Sequence, residues 1–146
     1  MKARRKARAV ALQALYELDC APHPVDEVIA CRLEDQPLSD EGREFARQMI
    51  VGVITRKAIL DELIHKHAPE WPLDQMAIID HNILRIAIWE FAVGATPLKV
   101  AINEAVEMAK LFGADSAPRF VNGVLGALAA REAELLQAFA AAASST

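Results

Sequence analysis

A chain of 146 residues, 53% hydrophobic, with 6 glycines and 7 prolines, is long enough to bury a core and is not a disordered tail. No apolar run reaches the roughly 18–20 residues of a membrane span, and the two cysteines, Cys20 and Cys31, give no disulfide framework. The net charge is −4, from 16 Lys and Arg against 20 Asp and Glu, yet Lys2, Arg4, Arg5, Lys6 and Arg8 crowd the first eight residues.

The periodicity is helical nearly throughout and strand-like alternation is absent. It predicts an all-α domain over 1–146, with fraying at 1–3 and 144–146. The first helix is expected over 3–19. It is not a signal peptide, because Gln13 and Glu17 interrupt its apolar run. At 100° per residue, Ala7, Val10, Ala11, Ala14, Leu15 and Leu18 form a core stripe. Arg5, Arg8, Leu12 and Tyr16 form a second stripe on the opposite side.

Pro22 and Pro24 separate this helix from one at 24–34. A third is expected over 40–66, with Ser39 as N-cap and Asp40 and Glu41 at its positive end. The stretch HAPEWP ends it. A fourth covers 74–92, and Gly94 and Pro97 make the next corner. The fifth, 97–112, is apolar except for an edge of Lys99, Asn103, Glu107 and Lys110. It is therefore expected at the centre of a compact bundle. Gly113 suits a left-handed cap after it. Ser116 is expected to cap a last helix over 117–143, where Gly123 suggests close helix packing. Asn103 and Asn122 are candidates for hydrogen bonds between helices.

Catalytic chemistry finds little support. His65 and His67 point about 200° apart on a helix and Cys20 and Cys31 lack ligand spacing, so no metal site is expected. There is no Gly-x-Ser-x-Gly, no phosphate-cradling Gly-rich loop and hence no cofactor motif. Glu104 and Glu107 read as solvated charge. The expectation is a binding protein, not an enzyme, located in the cytoplasm with no membrane contact.

The basic start carries the strongest functional signal. Arg and Lys at a helix end pair with phosphates and release counterions. The rest of the chain is acidic and offers no broad basic face, so a short contact with single-stranded RNA fits better than duplex DNA. Asp80 falls within the apolar line Ile83, Leu84, Ala87 and Phe91. It either begins a helical turn or stands at the edge of an interface groove. In RFVNGVLGAL, Arg119 and Phe120 pair a cation with a ring at the margin of the stripe Val121, Val124, Leu125 and Leu128. That pairing either stacks on a base or covers the core.

Three segments together resemble the bacterial NusB family: RRKARAVALQALYEL at 4–18, ILRIAIWEF at 83–91, and KVAINEAVEMAKLFGADSAPRFVNGVLGALA at 99–129. The resemblance implies an all-α fold of two small helix bundles with six to seven helices. It implies a transcription antitermination factor that binds boxA RNA together with NusE, a small-subunit ribosomal protein, within the RNA polymerase antitermination complex on ribosomal RNA operons. Carried over by position, RNA contacts fall on Arg4, Arg5, Lys6 and Arg8 and on Ser116, Arg119 and Phe120. Contacts to the protein partner fall on Tyr16, Asp80 and exposed neighbours such as Arg85. Ser116-Ala117-Pro118-Arg119 departs from the family's usual acidic residue and Ser-His-Lys, and His81-Asn82 replaces a charged residue and Ala. Some members form a homodimer over the RNA surface, and the same domain occurs fused to methyltransferases. No methyltransferase activity is expected here, and the alternative reading is a protein-binding adaptor with a basic tail.

Overall fold

The computed structural model describes residues 2–94 and 96–144, and among them there are helices and turns but no strand. The elements are α1 Lys2–Cys20, α2 Val25–Asp35, α3 Asp40–Thr55, α4 Lys57–His67, a 3-10 turn Leu73–Gln75, α5 Ile78–Ala92, α6 Leu98–Phe112, α7 Ala117–Ala129 and α8 Glu132–Ser144. Lys2, Ala3 and Ser144, expected to fray, are helical; Met1, Ser145 and Thr146 lie outside the described residues.

Eight α-helices stand among the described residues where six segments were expected, because two long segments break. At the first break Thr55 Oγ1 donates to the carbonyls of Val51 (2.9 Å) and Gly52 (3.2 Å). Such back-bonding competes with the helical ladder and bends it. Arg56 then leaves helical geometry at φ −113°, ψ 19°. The second break, at Ala130 and Arg131, carries no Gly or Pro; the Arg131 N–H turns back to the Leu128 carbonyl (2.9 Å) instead. The fourth segment also begins late, since Met76 and Ala77 are extended and α5 starts only at Ile78.

The chain divides into two compact units, 1–55 and 56–146. In the first, α1 packs on α2 and α3. Ala7, Val10, Ala11, Ala14 and Leu15 of the core stripe are buried as expected, with Val28, Ile29 and Leu33 of α2 and Met49, Ile50 and Val53 of α3, whereas Leu18, near the end of α1, is only partly buried. Ser39 caps α3, its Oγ accepting from the Gly42 N–H at 3.1 Å. Glu17 ties the end of α1 to the α1–α2 connection and to α2 itself. It meets His23 Nδ1 at 2.8 Å and accepts from Arg32 Nε at 3.1 Å. The hydrogen bond to His23 and the Arg32 guanidinium hold its carboxyl below the ordinary range.

In the second unit α5 packs on α4, α6, α7 and α8. Every residue of α5 from Asn82 to Glu90 is buried, so α5 is the central helix of this unit and α6 is not. Fully burying an Ile or Leu contributes about 1.5–3 kcal/mol, and Ile83, Leu84 and Ile86 are wholly enclosed. The polar edge of α6 stands, with Lys110 donating to Glu107 at 3.1 Å, but Glu104 is buried rather than solvated. Asn103 and Asn122 are exposed and do not bridge helices.

The glycines correct three local expectations. Gly113 is extended, at φ −93° and ψ 176°, not left-handed. Glycine is required there by crowding, because a Cβ would lie 2.5 Å from Ala117 Cβ and 3.0 Å from the Ala109 carbonyl. Gly123 and Gly126 face open space and mark no close packing. Ser116 has helical dihedrals and makes no side-chain cap. Two substitutions follow with opposite signs. Gly126→Ala should stabilise by about 0.5–1 kcal/mol, since helix propensity improves and nothing clashes. That is a rise of roughly 2–4 °C in melting temperature, whereas Gly113→Ala should melt lower than wild type.

Candidate functional site

The first unit places its basic residues on the opening turns of α1. Arg4, Arg5 and Lys6 are exposed. Arg8 is not: it is 2% exposed, with its guanidinium 5.6 Å from the centre of the Phe45 ring on α3. Arg4 lies over the same ring at 4.7 Å. Cation–π contact of this kind steers an arginine without neutralising it. The second stripe of α1 therefore presents Arg5 and Tyr16 to solvent while Arg8 and Leu12 between them are buried. Tyr16 is 42% exposed. Its hydroxyl is raised above its ordinary value, chiefly by a side-chain hydrogen bond with Cys20 one turn further along.

The second unit holds a cavity of about 540 Å³, within the range of small-ligand pockets. Four residues singled out in the sequence line it together: Asp80, Ser116, Arg119 and Phe120. The resemblance gives Asp80 to a protein contact and the other three to RNA, yet they share one concavity. Trp71, which the sequence marks only as part of a helix stop, lines it too. Its ring meets Phe120 edge-to-face, with centroids 5.2 Å apart and planes at 71°. Phe120 is half-buried, whereas Trp71 is 51% exposed. A tryptophan between two prolines, in a segment with no apolar periodicity, was the available signal. Pro69 and Pro72 fix the backbone around it, and the Trp71 N–H donates to the Ala68 carbonyl at 3.1 Å.

Asp80 sits in the first turn of α5. Burial pushes its carboxyl above the ordinary value. Its Oδ1 is closed to solvent and accepts no hydrogen bond. A Cβ at Gly113 would come within 3.3 Å of that oxygen, so the α6–α7 loop lies directly against it.

One turn further on, Arg85 departs from the expected exposure. It is 4% exposed and grips Asp61 of α4 with two bonds of 2.8 Å, from Nε to Oδ1 and from Nη2 to Oδ2. Its Nη1 donates to Asn82 Oδ1 at 3.1 Å, and His81 Nε2 lies 2.7 Å from Asp61 Oδ1. Burial alone would raise the Asp61 carboxyl, but hydrogen bonds from His81 and Arg85 and their charges hold it at about 2. His81-Asn82, the departure noted in the sequence, thus joins this network.

These features define an all-helical protein with a cationic helix end in one unit and an aromatic, partly charged cavity in the other. The NusB family model matches residues 5–130, and the chain belongs to the NusB family. A transcription antitermination protein NusB of Roseiflexus castenholzii is 48% identical over 134 residues, covering 90% of this chain and 94% of that protein. One of Bacillus pumilus is 42% identical, covering 84% and 91%. The solved structure of T. maritima NusB matches with a TM-score of 0.78 at 26% identity, covering 92% of this chain and 90% of that one. A complex of the antitermination factors NusB and NusE with dsRNA contains a chain of the same fold, with a TM-score of 0.80 at 23% identity over 94% of this chain and 98% of that one.

The two aspartates should respond oppositely to neutralisation. Asp61 is depressed from 3.8 to about 2, so its contribution is present above the unfolded value and is lost as pH falls through the folded one. Asp61→Asn should cost about 1–2 kcal/mol at pH 7, after allowance for solvent screening, with the deficit vanishing between pH 4 and 2. Asp80 is raised, so its ionised form favours unfolding. Asp80→Asn should melt higher than wild type at pH 7, and this gain should disappear once pH falls below the ordinary aspartate range. Thermal melts across pH 2–7 check both.

Proposed function

We propose that this chain is a transcription antitermination factor that binds boxA RNA together with a NusE partner, in the cytoplasm, within the antitermination complex that RNA polymerase carries through ribosomal RNA operons. It acts by binding and not by catalysis, with residues 1–146 working as a single NusB-like RNA-binding domain. One observation carries the reading: a family member with an acidic chain exposes Arg4, Arg5 and Lys6 together on the first turns of α1. Such a cluster attracts phosphates locally without making the whole surface adhere to nucleic acid.

In this reading Arg4, Arg5 and Lys6 hold the RNA backbone and Arg8 braces the helix end against Phe45. Ser116, Arg119 and Phe120 form a second contact, where a base stacks on the ring and the cation meets a phosphate. Tyr16 and Asp80 serve the protein partner. Arg85, being buried, serves it indirectly by holding the start of α5.

Single-strand binding releases roughly 0.7 counterion per phosphate contact. Arg4, Arg5, Lys6 and Arg119 would then give a log–log salt slope of about −3, and replacing the first three by Ala should flatten it by about 2. Affinity for boxA and for a scrambled RNA should fall alike, because backbone contacts carry no sequence information. An unchanged slope in a folded triple mutant would reject the basic terminus as an RNA contact and favour the adaptor reading.

Tyr16→Ala removes a half-exposed ring and should change stability little. It should weaken NusE binding. NusE should in turn raise RNA affinity by the same factor by which RNA raises NusE affinity, as linkage requires. Calorimetric titrations in both orders measure that factor.

A further inference from the structure

The aromatic ring that the RNA reading leaves unused is Trp71. It is more exposed than Phe120, it touches Phe120, and two prolines hold its loop. Exposing half of a tryptophan on a rigid turn leaves apolar area in water that folding alone does not require. The T-shaped pair does not sandwich a ligand between its rings, since the edge of one meets the face of the other. Trp71 remains half-exposed beside Phe120, and both rings line the cavity.

The charges lining this cavity decide what fits against that face. Arg119 supplies a cation at the start of α7. Glu70 and Asp80 line the same space and repel phosphate from it. The Glu70 carboxylate accepts hydrogen bonds of the kind that nucleobase N–H donors offer, while Asp80 is left to the protein partner. The cavity therefore favours a base over a phosphodiester, with the attached backbone held outside by Arg119. An apolar peptide side chain would use the rings but neither Arg119 nor the carboxylates.

We propose that Trp71 is a second base-stacking platform, taking an unpaired base of single-stranded RNA next to the base stacked on Phe120. This rests on the RNA-binding reading above and deepens it. The two platforms together would hold two neighbouring bases splayed from the strand, and would explain a preference for single-stranded over paired RNA.

The test combines Trp71→Ala and Trp71→Phe with a boxA RNA in which each nucleotide in turn is made abasic. Trp71 is half-exposed, so both variants should melt near wild type. A base–aromatic stack corresponds to roughly a 5- to 150-fold change in affinity. Trp71→Ala should lose that much on intact RNA, and Trp71→Phe should retain most of the affinity. Removing one particular base should cost the wild type the same factor and cost Trp71→Ala nothing further. Phe120→Ala should show the same insensitivity at the adjacent position. Quenching of tryptophan emission by RNA should be lost in Trp71→Phe, since the remaining Trp89 is buried.

Wild-type affinity in Trp71→Ala, or abasic and Trp71 penalties that multiply at every position, would overturn the platform while leaving the RNA reading intact. Weakened NusE binding or self-association in Trp71→Ala, with RNA affinity unchanged, would assign the ring to a protein contact and overturn it equally. A wild-type protein that fails to bind RNA, alone and with NusE, would overturn both readings.

Discussion

The ion pair between Asp61 and Arg85 is the constraint on which the cavity of the second unit depends. Asp61 belongs to α4 and Arg85 to α5, and the segment between those helices carries Trp71, the 3-10 turn and Met76. Two parallel bonds of 2.8 Å hold a carboxylate and a guanidinium in one plane, a geometry that arginine supplies and lysine does not. Because the pair anchors both helices, the connecting segment spans a fixed gap. Its prolines and short turns then have little freedom left, and an exposed tryptophan can be presented in one position without a packed core beneath it. His81 and Asn82 extend the arrangement, His81 meeting Asp61 Oδ1 and Asn82 Oδ1 accepting from Arg85 Nη1. A buried arginine with its donors engaged costs far less than one left unpaired.

The two units handle charge in different ways. In the first, Arg4 and Arg8 share one aromatic ring, a contact that orders both side chains. Arg4, Arg5 and Lys6 are exposed at the helix end. In the second unit the cationic Arg85 is cancelled by Asp61, and the carboxylate left in a poor environment is Asp80. That aspartate is held against the α6–α7 loop with an oxygen that accepts no bond. A half-buried, under-solvated carboxylate destabilises the free protein.

Much of this was legible in the sequence, and the misses have identifiable causes. Helical period and proline placement located the helical stretches, because those signals are local, but not the breaks at Arg56 and at Ala130 and Arg131 that divide two of them. The break at Arg56 was hidden because a Thr back-bond is a side-chain event inside a run that reads as uninterrupted helix. The core stripe of α1 was correct up to Leu15, with Leu18 only partly buried, but Arg8 and Leu12 were placed on an open face. A helical wheel ranks faces without knowing that Phe45 stands over one of them. Arg85 looked exposed for the same reason: its partner is 24 positions away, and no spacing rule connects Asp61 to it. Gly113 shows a right residue for a different reason, chosen for the approach of Ala117 and not for a positive φ. Arg119 and Phe120 stood out as a cation beside a ring at the margin of a stripe, and Ser116 joined them through the resemblance; all three line one cavity, while Trp71 was read only as part of the stretch that ends a helix.

That last miss bears on how such a surface is built. A ring that serves the core leaves a periodic trace, because it must fall on the stripe of its helix. A ring that serves a ligand owes nothing to the period and is held by whatever fixes its backbone. Phe120 stands between these cases, at the margin of the α7 stripe and half-buried, so the wheel left it ambiguous. Trp71 lies wholly off any helix, and its placement is set by prolines on either side and by an ion pair between the flanking helices. The two rings meet edge-to-face because separate elements bring them there: α7 supplies one, and the α4–α5 connection supplies the other. Such a corner has no counterpart in hydrophobic pattern. It becomes visible only when two segments distant in sequence are seen to close on the same cavity, with Arg119 on one side and Asp80 on the other.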